Sequence, residues 1–392
     1  MSDTQKHTKP NVPNLRFPGF EGEWKMISLG EISQLMSGQD LNPDDYSDSI
    51  PSEYPYVTGA SSLCEEGIVL NRWTSNPKRI AKRDDILLVC KGSGVGSLGK
   101  LANVEQAHIA RQIMGIRAYN NVFQPFLYYL ISSIIPNLKQ KATGLIPGID
   151  RDAFLSLHCC IPALPEQFRI SSLLDNIDKR IAIQNKVIDR YQSLIRAIIQ
   201  QSQRNSSSRV YLREIMTERK ELNTCGYDIC SVSVSKGVIN QVEYLGRSFA
   251  AKETSHYHVV KEGDIVYTKS PTGAFPFGII KQSNIKKTVA VSPLYGVYEP
   301  KSLEIGTYLH YLFCSPQNVQ NYLRKLIQKG AKNTINITNQ HFLDNQVCLP
   351  GPKDLSRIVF TINSLAKRIE IEEFYLCQIL IQKEYLLQQL FI

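Results

Sequence analysis

The stretch Ile161–Ile170, IPALPEQFRI, opens a long helical pattern, and Leu349–Ile358, LPGPKDLSRI, opens a second one. Each residue of the second stretch lies 188 positions after its counterpart in the first. The same spacing joins Phe154 to Phe342, so the two helical regions align without a gap. A chain built from two copies of one unit tends to fold with internal pseudo-two-fold symmetry, and DNA-binding proteins use two-fold symmetry to contact paired half-sites.

Apolar residues recur in steps of four and three along both helical regions, which is the heptad pattern of coiled coils. Gln184 and Glu372 interrupt the two stripes at the same repeat position, and Lys383 interrupts only the second stripe. The pattern predicts two long helices that pair antiparallel and hold a globular domain at each end, rather than two helices each packed on its own domain. The predicted seam residues are Ile170, Leu174, Ile177, Ile181, Ile188, Ile358, Ile362, Leu365, Ile369 and Leu376.

The remaining sequence forms two globular segments with a mixed α/β pattern. Leu29–Ile32 corresponds to Leu212–Ile215 at an offset of 183, and Asp85–Leu87 to Asp264–Val266 at an offset of 179. Short β-rich runs are separated by Gly, Pro and Asn turns. The pattern predicts strands at Asp85–Val89, Gly263–Thr268 and Ala290–Tyr298, and helices at Gln124–Lys141 and Ile305–Lys329. The predicted divisions are a flexible lead at 1–23, a first domain at 24–162, a central helix at 163–203, a linker at 204–209, a second domain at 210–350 and a C-terminal helix at 351–392.

The net charge of the chain and the motifs that it lacks limit the functions that the sequence allows. The formal net charge of +9 favours a polyanionic partner. No Pro-Pro dipeptide occurs, which argues against the Asn/Asp-Pro-Pro-aromatic loop of an N6-adenine methyltransferase. No residue spacing predicts a metal site or a catalytic constellation. The N-terminus is unlike a signal peptide, no apolar run approaches membrane-spanning length, and the nine Cys include no Cys-x-x-Cys pair, so we expect a soluble cytoplasmic protein.

The run Ile161–Ile170, continued by Leu173–Asp178, resembles the conserved helix start of the specificity subunits of type I restriction–modification systems. The opening Leu15–Phe20, followed by Trp24, is similar to the N-terminal signature of this family. The second copy departs from the pattern, because Pro352–Leu355 replaces the Pro-Glu-Gln run. The resemblance nevertheless covers nearly the whole chain.

This resemblance implies a non-catalytic, sequence-specific DNA-binding subunit. It implies two target-recognition domains, each reading one half of a bipartite asymmetric site, and a helical pair that spaces them and binds two modification subunits. In such complexes the modification subunits methylate adenine at N6 with S-adenosylmethionine, and ATP-dependent restriction subunits cleave unmethylated DNA. The resemblance therefore implies no cofactor in this chain, with S-adenosylmethionine, ATP and magnesium held by the partner subunits.

The glycine-rich stretch Lys91–Lys100, KGSGVGSLGK, is the basis for an alternative prediction, in which the chain is a nucleotide-binding enzyme. Its three inner glycines at Gly94, Gly96 and Gly99 match the G-x-G-x-x-G pattern of dinucleotide-binding loops. At an offset of 179 the first and third of them map to glycines 273 and 278, but the middle one maps to a phenylalanine. The turn glycines recur and the nucleotide pattern does not, so we expect a hairpin or loop shaped by glycine in both copies.

Side chains suited to DNA contact cluster in and after these loops. Glycine lets the backbone approach a groove, Lys and Ser donate to phosphates, and Arg and Gln fit guanine and adenine edges. Two alternatives stay open: Arg111 can pair with a surface carboxylate, and lysines at a helix C-terminus can simply favour the helix dipole. The predicted DNA-binding residues are Lys91, Ser93, Lys100, Arg111, Gln112, Lys139 and Lys141 in the first copy, and Lys269, Ser270, Thr272, Lys329, Lys332 and Asn333 in the second.

Changing the length of the long helices tests their predicted role as a spacer. We expect a helix-length variant to change the unread gap between the two DNA blocks while leaving both blocks intact. Mapping the methylated sites in cells that carry each variant measures both quantities. A variant that keeps its gap but alters one block contradicts the spacer hypothesis.

Overall fold

The computed structural model describes residues 11–141, 148–206, 208–240, 253–327 and 337–392. The chain forms two compact units. The first contains residues 1–186 and 374–392, and the second contains residues 187–373. Each unit therefore combines one globular segment with part of both long helices.

The first unit is a mixed α/β fold that leads into the central helix. A strand pair, β1 with β12, joins the beginning of its globular segment to the end, with Ile27 opposite Cys159. In chain order its elements are β1 (Lys25–Ser28), α1 (Leu29–Ile32), β2 (Ser33–Ser37), β3 (Tyr54–Val57), β4 (Leu63–Cys64), β5 (Gly67–Ile68), β6 (Trp73–Thr74), β7 (Ile80–Lys82), β8 (Ile86–Val89), β9 (Leu98–Lys100), β10 (Gln106–Ile109), β11 (Ile113–Ala118), α2 (Gln124–Lys141), α3 (Arg151–Leu155), β12 (His158–Ile161) and α4 (Leu164–Asn205), with 3₁₀ turns at Pro43–Asp45 and Ala60–Ser62.

The second unit repeats this plan. The strand pair β13 with β22 again joins the ends of the globular segment, with Val210 opposite Val347. Its described elements are β13 (Arg209–Tyr211), α5 (Leu212–Ile215), β14 (Met216–Glu218), β15 (Ile229–Ser233), β16 (Gly237–Asn240), β17 (His258–Val260), β18 (Ile265–Tyr267), β19 (Ile280–Gln282), β20 (Val289–Val291), β21 (Gly296–Pro300), α6 (Leu303–Phe313), α7 (Pro316–Leu323), α8 (Asn339–Phe342), β22 (Gln346–Cys348) and α9 (Pro352–Leu390).

Two four-stranded sheets occur in each unit in corresponding strand order. The first unit has β6-β3-β10-β7 and β2-β11-β8-β9, and the second has β16-β15-β20-β17 and β14-β21-β18-β19. In both units a parallel pair lies at the centre of one sheet, formed by β3 with β10 and by β15 with β20. The duplication predicted from the helices therefore extends through the globular folds.

A phenylalanine at the repeat spacing fills each core. Phe154 on α3 and Phe342 on α8 are 1% and 0% exposed. In the second unit, the Phe342 ring stacks between Tyr267 and Tyr298, with both centroid distances at 4.7 Å. These short helices are therefore anchored by one aromatic side chain each, which no local periodicity of their own sequence would indicate.

In the first unit, the start of α4 packs against the end of α9. Ile170 and Leu174 share a hydrophobic core with Leu386 and Leu390. Lys383, which interrupts the second apolar stripe, places its ammonium 2.6 Å from a carboxylate oxygen of Asp178 on α4. The polar residue in the stripe is therefore part of an ion pair between the two helices.

In the second unit, the end of α4 packs against the start of α9. Ile195 and Ile199 share a core with Leu355, Val359 and Ile362. Since the beginning of each helix meets the end of the other, the predicted antiparallel pairing is confirmed. Of the predicted seam residues, the structure buries Ile170, Leu174, Ile177, Ile188 and Ile362, and partly buries Ile181, Ile358, Leu365, Ile369 and Leu376. Within the described ranges, no helix has both the length and the apolar character that crossing a membrane requires.

Two predicted elements are interrupted, both near a proline. The predicted strand Ala290–Tyr298 is two strands, β20 and β21, with a turn between them that contains Pro293. The predicted helix Ile305–Lys329 is α6 followed by α7, and α7 begins at Pro316 with the Ser315 hydroxyl accepting a backbone N–H of its first turn. Proline has no N–H to donate and its ring clashes with a preceding helical turn, so it ends α6 and favours the first position of α7.

Truncating the central ring of the second core should destabilise that unit. We expect Phe342→Ala to lower the free energy of unfolding by about 3–5 kcal/mol, because it removes a fully buried aromatic side chain. Phe374→Ala, at a position that is 62% exposed, is the matched control and should cost about 0.5 kcal/mol or less. Chemical denaturation measures both values. Equal losses in the two variants would contradict the assigned core.

Candidate nucleic-acid interface

The glycine-rich stretch is the turn of a β-hairpin. Strand β8 pairs antiparallel with β9, and Leu88 lies opposite Leu98. In the turn between them, Gly92 and Gly96 have φ angles of +89° and +79°, a region that glycine adopts without strain. A nucleotide-binding loop of this pattern leads into a helix whose N-terminus meets the phosphates. Because a strand follows here, the nucleotide-binding alternative is not favoured.

Basic side chains gather beside this hairpin turn. A Cβ on Gly96 would lie 2.2 Å from the Cε atom of Lys139, so the Lys139 side chain crosses the turn closely. Lys91 at the start of the turn forms a β-bridge with Gly148. Lys91, Ser93 and Lys139 are all exposed. Three predicted DNA-binding residues therefore lie on one hairpin turn and the helix that borders it.

A second turn, Ala110–Gln112, joins β10 to β11 and lies next to the hairpin. The backbone N–H of Cys90 donates to the carbonyl oxygen of Gln112 at 2.7 Å. The side-chain amide of Gln112 donates to the carbonyl oxygen of Thr58. Because Cys90 immediately precedes Lys91, the first of these bonds keeps the two turns side by side. Gln112 thus holds the turn, and its amide is already engaged within the unit.

Arg111 is the exposed tip of the second turn, and its side chain is 76% exposed. Its Nε atom lies 2.8 Å from a carboxylate oxygen of Asp40, and its backbone N–H donates to the other carboxylate oxygen at 3.2 Å. An exposed ion pair contributes only about 0–1 kcal/mol. The pairing with a surface carboxylate is therefore present, and a phosphate or a guanine edge can compete for the same guanidinium.

A buried histidine connects a further basic segment to this region. The Nδ1 atom of His108 accepts the backbone N–H groups of Lys78 and Arg79 at 3.3 and 3.2 Å. Burial lowers the pKa of His108. The neutral ring then carries its proton on Nε2, which donates to the carbonyl oxygen of Gln39 at 2.8 Å. Sequence reasoning missed the exposed Lys78 and Arg79, although adjacent basic residues after a proline were a usable signal.

Lys100 lies at the other end of the hairpin strand, against the central helix. Its Nζ atom is 3.2 Å from a carboxylate oxygen of Asp175 and 4.1 Å from the ring centroid of Tyr128. Tyr129 donates its hydroxyl to the same carboxylate at 2.7 Å. The Lys100 ammonium is therefore engaged inside the first unit, whereas Lys91 and Lys139 are exposed.

The second unit has a longer hairpin loop. Tyr267 on β18 lies opposite Ile280 on β19, which leaves residues 268–279 between them, compared with residues 89–97 in the first unit. Leu87 and Val266 are equivalent at the offset of 179. The strand pairing places Gly99 opposite Leu87 but Lys281 opposite Val266, so Gly99 is equivalent to Lys281. The sequence mapping of Gly99 onto Gly278 is therefore wrong, because three extra loop residues precede β19.

The predicted residues of the second copy lie in this longer loop where the structure describes them. Ser270 and Thr272 are exposed, and Lys269 is half-buried. Burial lowers the pKa of Lys269, and the nearby Glu218 carboxylate opposes this shift. Lys141 is the last residue of α2. Lys329, Lys332 and Asn333 lie outside the described residues.

The turn between β20 and β21 corresponds to the Arg111 turn but differs in chemistry. At an offset of 182, Pro293 and Leu294 take the positions of Arg111 and Gln112. The Leu294 side chain is 70% exposed. An exposed apolar side chain on such a turn suits contact with a thymine methyl group. Sequence reasoning missed Leu294, and applying the strand offset to the turn would have found it.

Part of the chain matches a known family of domains. Residues 21–190 match the family model of the type I restriction modification DNA specificity domain. These residues are therefore similar to that DNA specificity domain. The predicted resemblance to specificity subunits is thereby confirmed.

Two solved structures are similar over nearly the whole chain. The S subunit of a type I restriction–modification system from M. genitalium has a TM-score of 0.58 and 14% identity, and the match covers 97% of this chain and 99% of that one. The second is a chain from a structure that concerns complex assembly and conformational transition of the type I R-M system. It has a TM-score of 0.51 and 12% identity, and the match covers 94% of this chain and 97% of that one. At such identities the likeness establishes a shared fold. A search of curated proteins found no match.

DNA binding should respond differently to substitution of Lys91 and of Lys100. We expect Lys91→Met to weaken duplex DNA binding and to reduce the slope of log affinity against log salt by about 0.9, since one phosphate contact is lost. Lys100→Met should leave this slope unchanged, because its ammonium already pairs with Asp175. Fluorescence anisotropy across a salt series measures both. The same change of slope in both variants would contradict the assigned orientation of Lys100.

Proposed function

We propose that this chain is the specificity subunit of a type I restriction–modification complex that reads a bipartite, asymmetric DNA site. The observation that carries the proposal is the duplicated strand order, in which each unit presents a hairpin loop at the end of an equivalent strand pair. A reader of this kind places its exposed donors on loops held by a rigid scaffold. The specificity domain at residues 21–190 supports the same function.

The proposed site is asymmetric because the two reading surfaces differ. Arg111 offers a guanidinium to a guanine edge, whereas the corresponding turn of the second unit offers Leu294. The hairpin loops also differ, since the second is three residues longer. Each unit therefore recognises its own short block of bases.

The other predicted DNA-binding residues have different roles in this proposal: some contact phosphates, and others position the turn or stabilise the domain. Lys91, Ser93 and Lys139 contact phosphates from the first hairpin, and Ser270 and Thr272 do so from the second. Gln112 positions the reading turn through its bond to Thr58 rather than by touching a base. Lys100 stabilises the domain on the central helix, with any contribution to DNA binding through the net positive charge alone.

The chemistry belongs to partner subunits in this proposal. Two modification subunits bind the helical pair and methylate adenine at N6 with S-adenosylmethionine, and restriction subunits use ATP and magnesium to cleave unmethylated DNA. The sequence supports this division, since it contains no Pro-Pro dipeptide for a methyltransferase loop. The chain itself acts in the cytoplasm as a non-catalytic reader.

Substituting the tip of the first reading turn tests the proposal directly. The complex of this chain with its modification subunits is produced in cells, and genomic N6-methyladenine is mapped by sequencing. We expect Arg111→Ala to relax one base position in one block, with a discrimination loss of about 1–3 kcal/mol. The other block should be unchanged.

Two further variants make the result decisive. Leu294→Ala should relax the other block and leave the first intact. Arg83→Ala, which removes an exposed arginine paired with Glu105, is the matched control and should alter neither block. Relaxation of both blocks by a single variant, or methylation independent of this chain, would contradict the proposed function.

A further inference from the structure

An N-terminal strap, defined as residues 11–24, fills a groove in the first unit. The Leu15 N–H donates to the carbonyl oxygen of Gln389 at the end of α9, at 2.9 Å. The Arg16 guanidinium forms two bonds, of 2.8 and 2.9 Å, with the Glu166 carboxylate at the start of α4. Glu166 is 2% exposed, and Phe17 packs against the neighbouring core. The strap thus inserts an arginine and an aromatic ring between the end of one helix and the start of the other.

The second unit has a groove at the corresponding position. Its volume is about 360 Å³, and it lies between the end of α4 and the start of α9. The lining residues match the strap-contacting region at the 188-residue spacing. Glu166 corresponds to Asp354, Gln389 to Gln201, Ile170 to Ile358, and Leu386 to Ile198.

Among the described residues, no segment lies over the second groove as the strap lies over the first. Ile170 and Leu386 are buried in the first unit, whereas their counterparts Ile358 and Ile198 are partly exposed. The chain between α4 and β13 spans only residues 206–208, compared with the 14 residues of the strap. This connection is too short to lay a second strap over the groove.

The groove combines an acidic group, Asp354, with apolar residues such as Ile198 and Ile358, and serine and amide side chains form much of the remaining lining. The Asp354 carboxylate accepts from Arg357 at 3.0 Å, and both side chains are well exposed. An exposed pair three residues apart on a helix contributes little stability, so another guanidinium can displace Arg357. The chemistry that fits is an extended segment with an arginine next to apolar or aromatic side chains, as the strap shows in the first unit.

We propose that the groove at the start of α9 is a docking site for an arginine-bearing extended segment of a partner protein. A second copy of this chain is the less suitable occupant, because each copy engages its Arg16 in an ion pair with the buried Glu166 of its own first unit. The site goes beyond DNA reading and does not depend on the proposed function.

A synthetic peptide of residues 12–22, VPNLRFPGFEG, is the probe for this groove. It is labelled and titrated with the full-length chain, and fluorescence anisotropy reports binding. We expect saturable binding that weakens at least about tenfold when the peptide carries Arg16→Ala, because a charge-assisted pair is lost. The peptide variant leaves the folding of the protein unaffected.

Matched variants of the protein locate the bound peptide. Asp354→Asn should weaken binding at least about tenfold, and Glu166→Gln, the equivalent change in the occupied groove, should leave binding to the second unit in place. Absence of saturable binding overturns the proposal. So does binding that depends on Glu166 rather than Asp354, since the peptide would then be displacing the strap. Concentration-dependent dimerisation that Arg16→Ala abolishes would identify a second copy as the occupant and also overturn it.

Discussion

Both units depend on hydrophobic contact between helical segments that are far apart in the chain. In the first unit, Ile170 and Leu174 bury their side chains together with Leu386 and Leu390. In the second, Ile195 and Ile199 do so with Val359 and Ile362. Burial of apolar surface is the dominant stabilising contribution to folding. Neither globular segment therefore completes its core without a piece of the helix that follows the other segment.

This shared frame leaves the side chains on the exposed turns free to differ. Asp85 and Asp264 occupy the same position before a central strand, and each accepts the backbone N–H of the residue three positions earlier, at 2.7 and 2.8 Å. Their arginine partners come from different strands, Arg117 on β11 and Arg219 directly after β14. The backbone bond at the turn is retained while the surrounding side chains have changed. In the same way, the two units share their strand order, whereas the Arg111 turn and the Leu294 turn carry different side chains.

The repeat also explains a difference between the helix starts. The first helix start is covered by a strap because the chain reaches it from its N-terminal side, through residues 11–24. In the second unit only residues 206–208 separate α4 from β13, and no segment among the described residues covers the groove at the start of α9. The internal duplication thus gives two grooves at equivalent positions, of which the first is filled by a segment of the chain itself.

The sequence by itself determined the duplication, the two long helices and the glycine turn. Heptad spacing and the 188-residue offset are local or linear patterns, and the helices follow them closely from Leu164 and Pro352. Helix Gln124–Lys141 was predicted with its observed bounds for the same reason. The family resemblance, based on the first helix start and the N-terminal signature, was also within reach of the sequence.

Only the tertiary structure decided what each polar side chain contacts. Lys100 and Lys91 belong to one basic stretch, yet strand pairing turns Lys100 toward Asp175 and leaves Lys91 exposed. The role of Gln112 depends on Thr58, and the position of Leu294 depends on where β21 begins. Strand register and loop length bring together residues that are distant in sequence, and no periodicity along the chain encodes those partners.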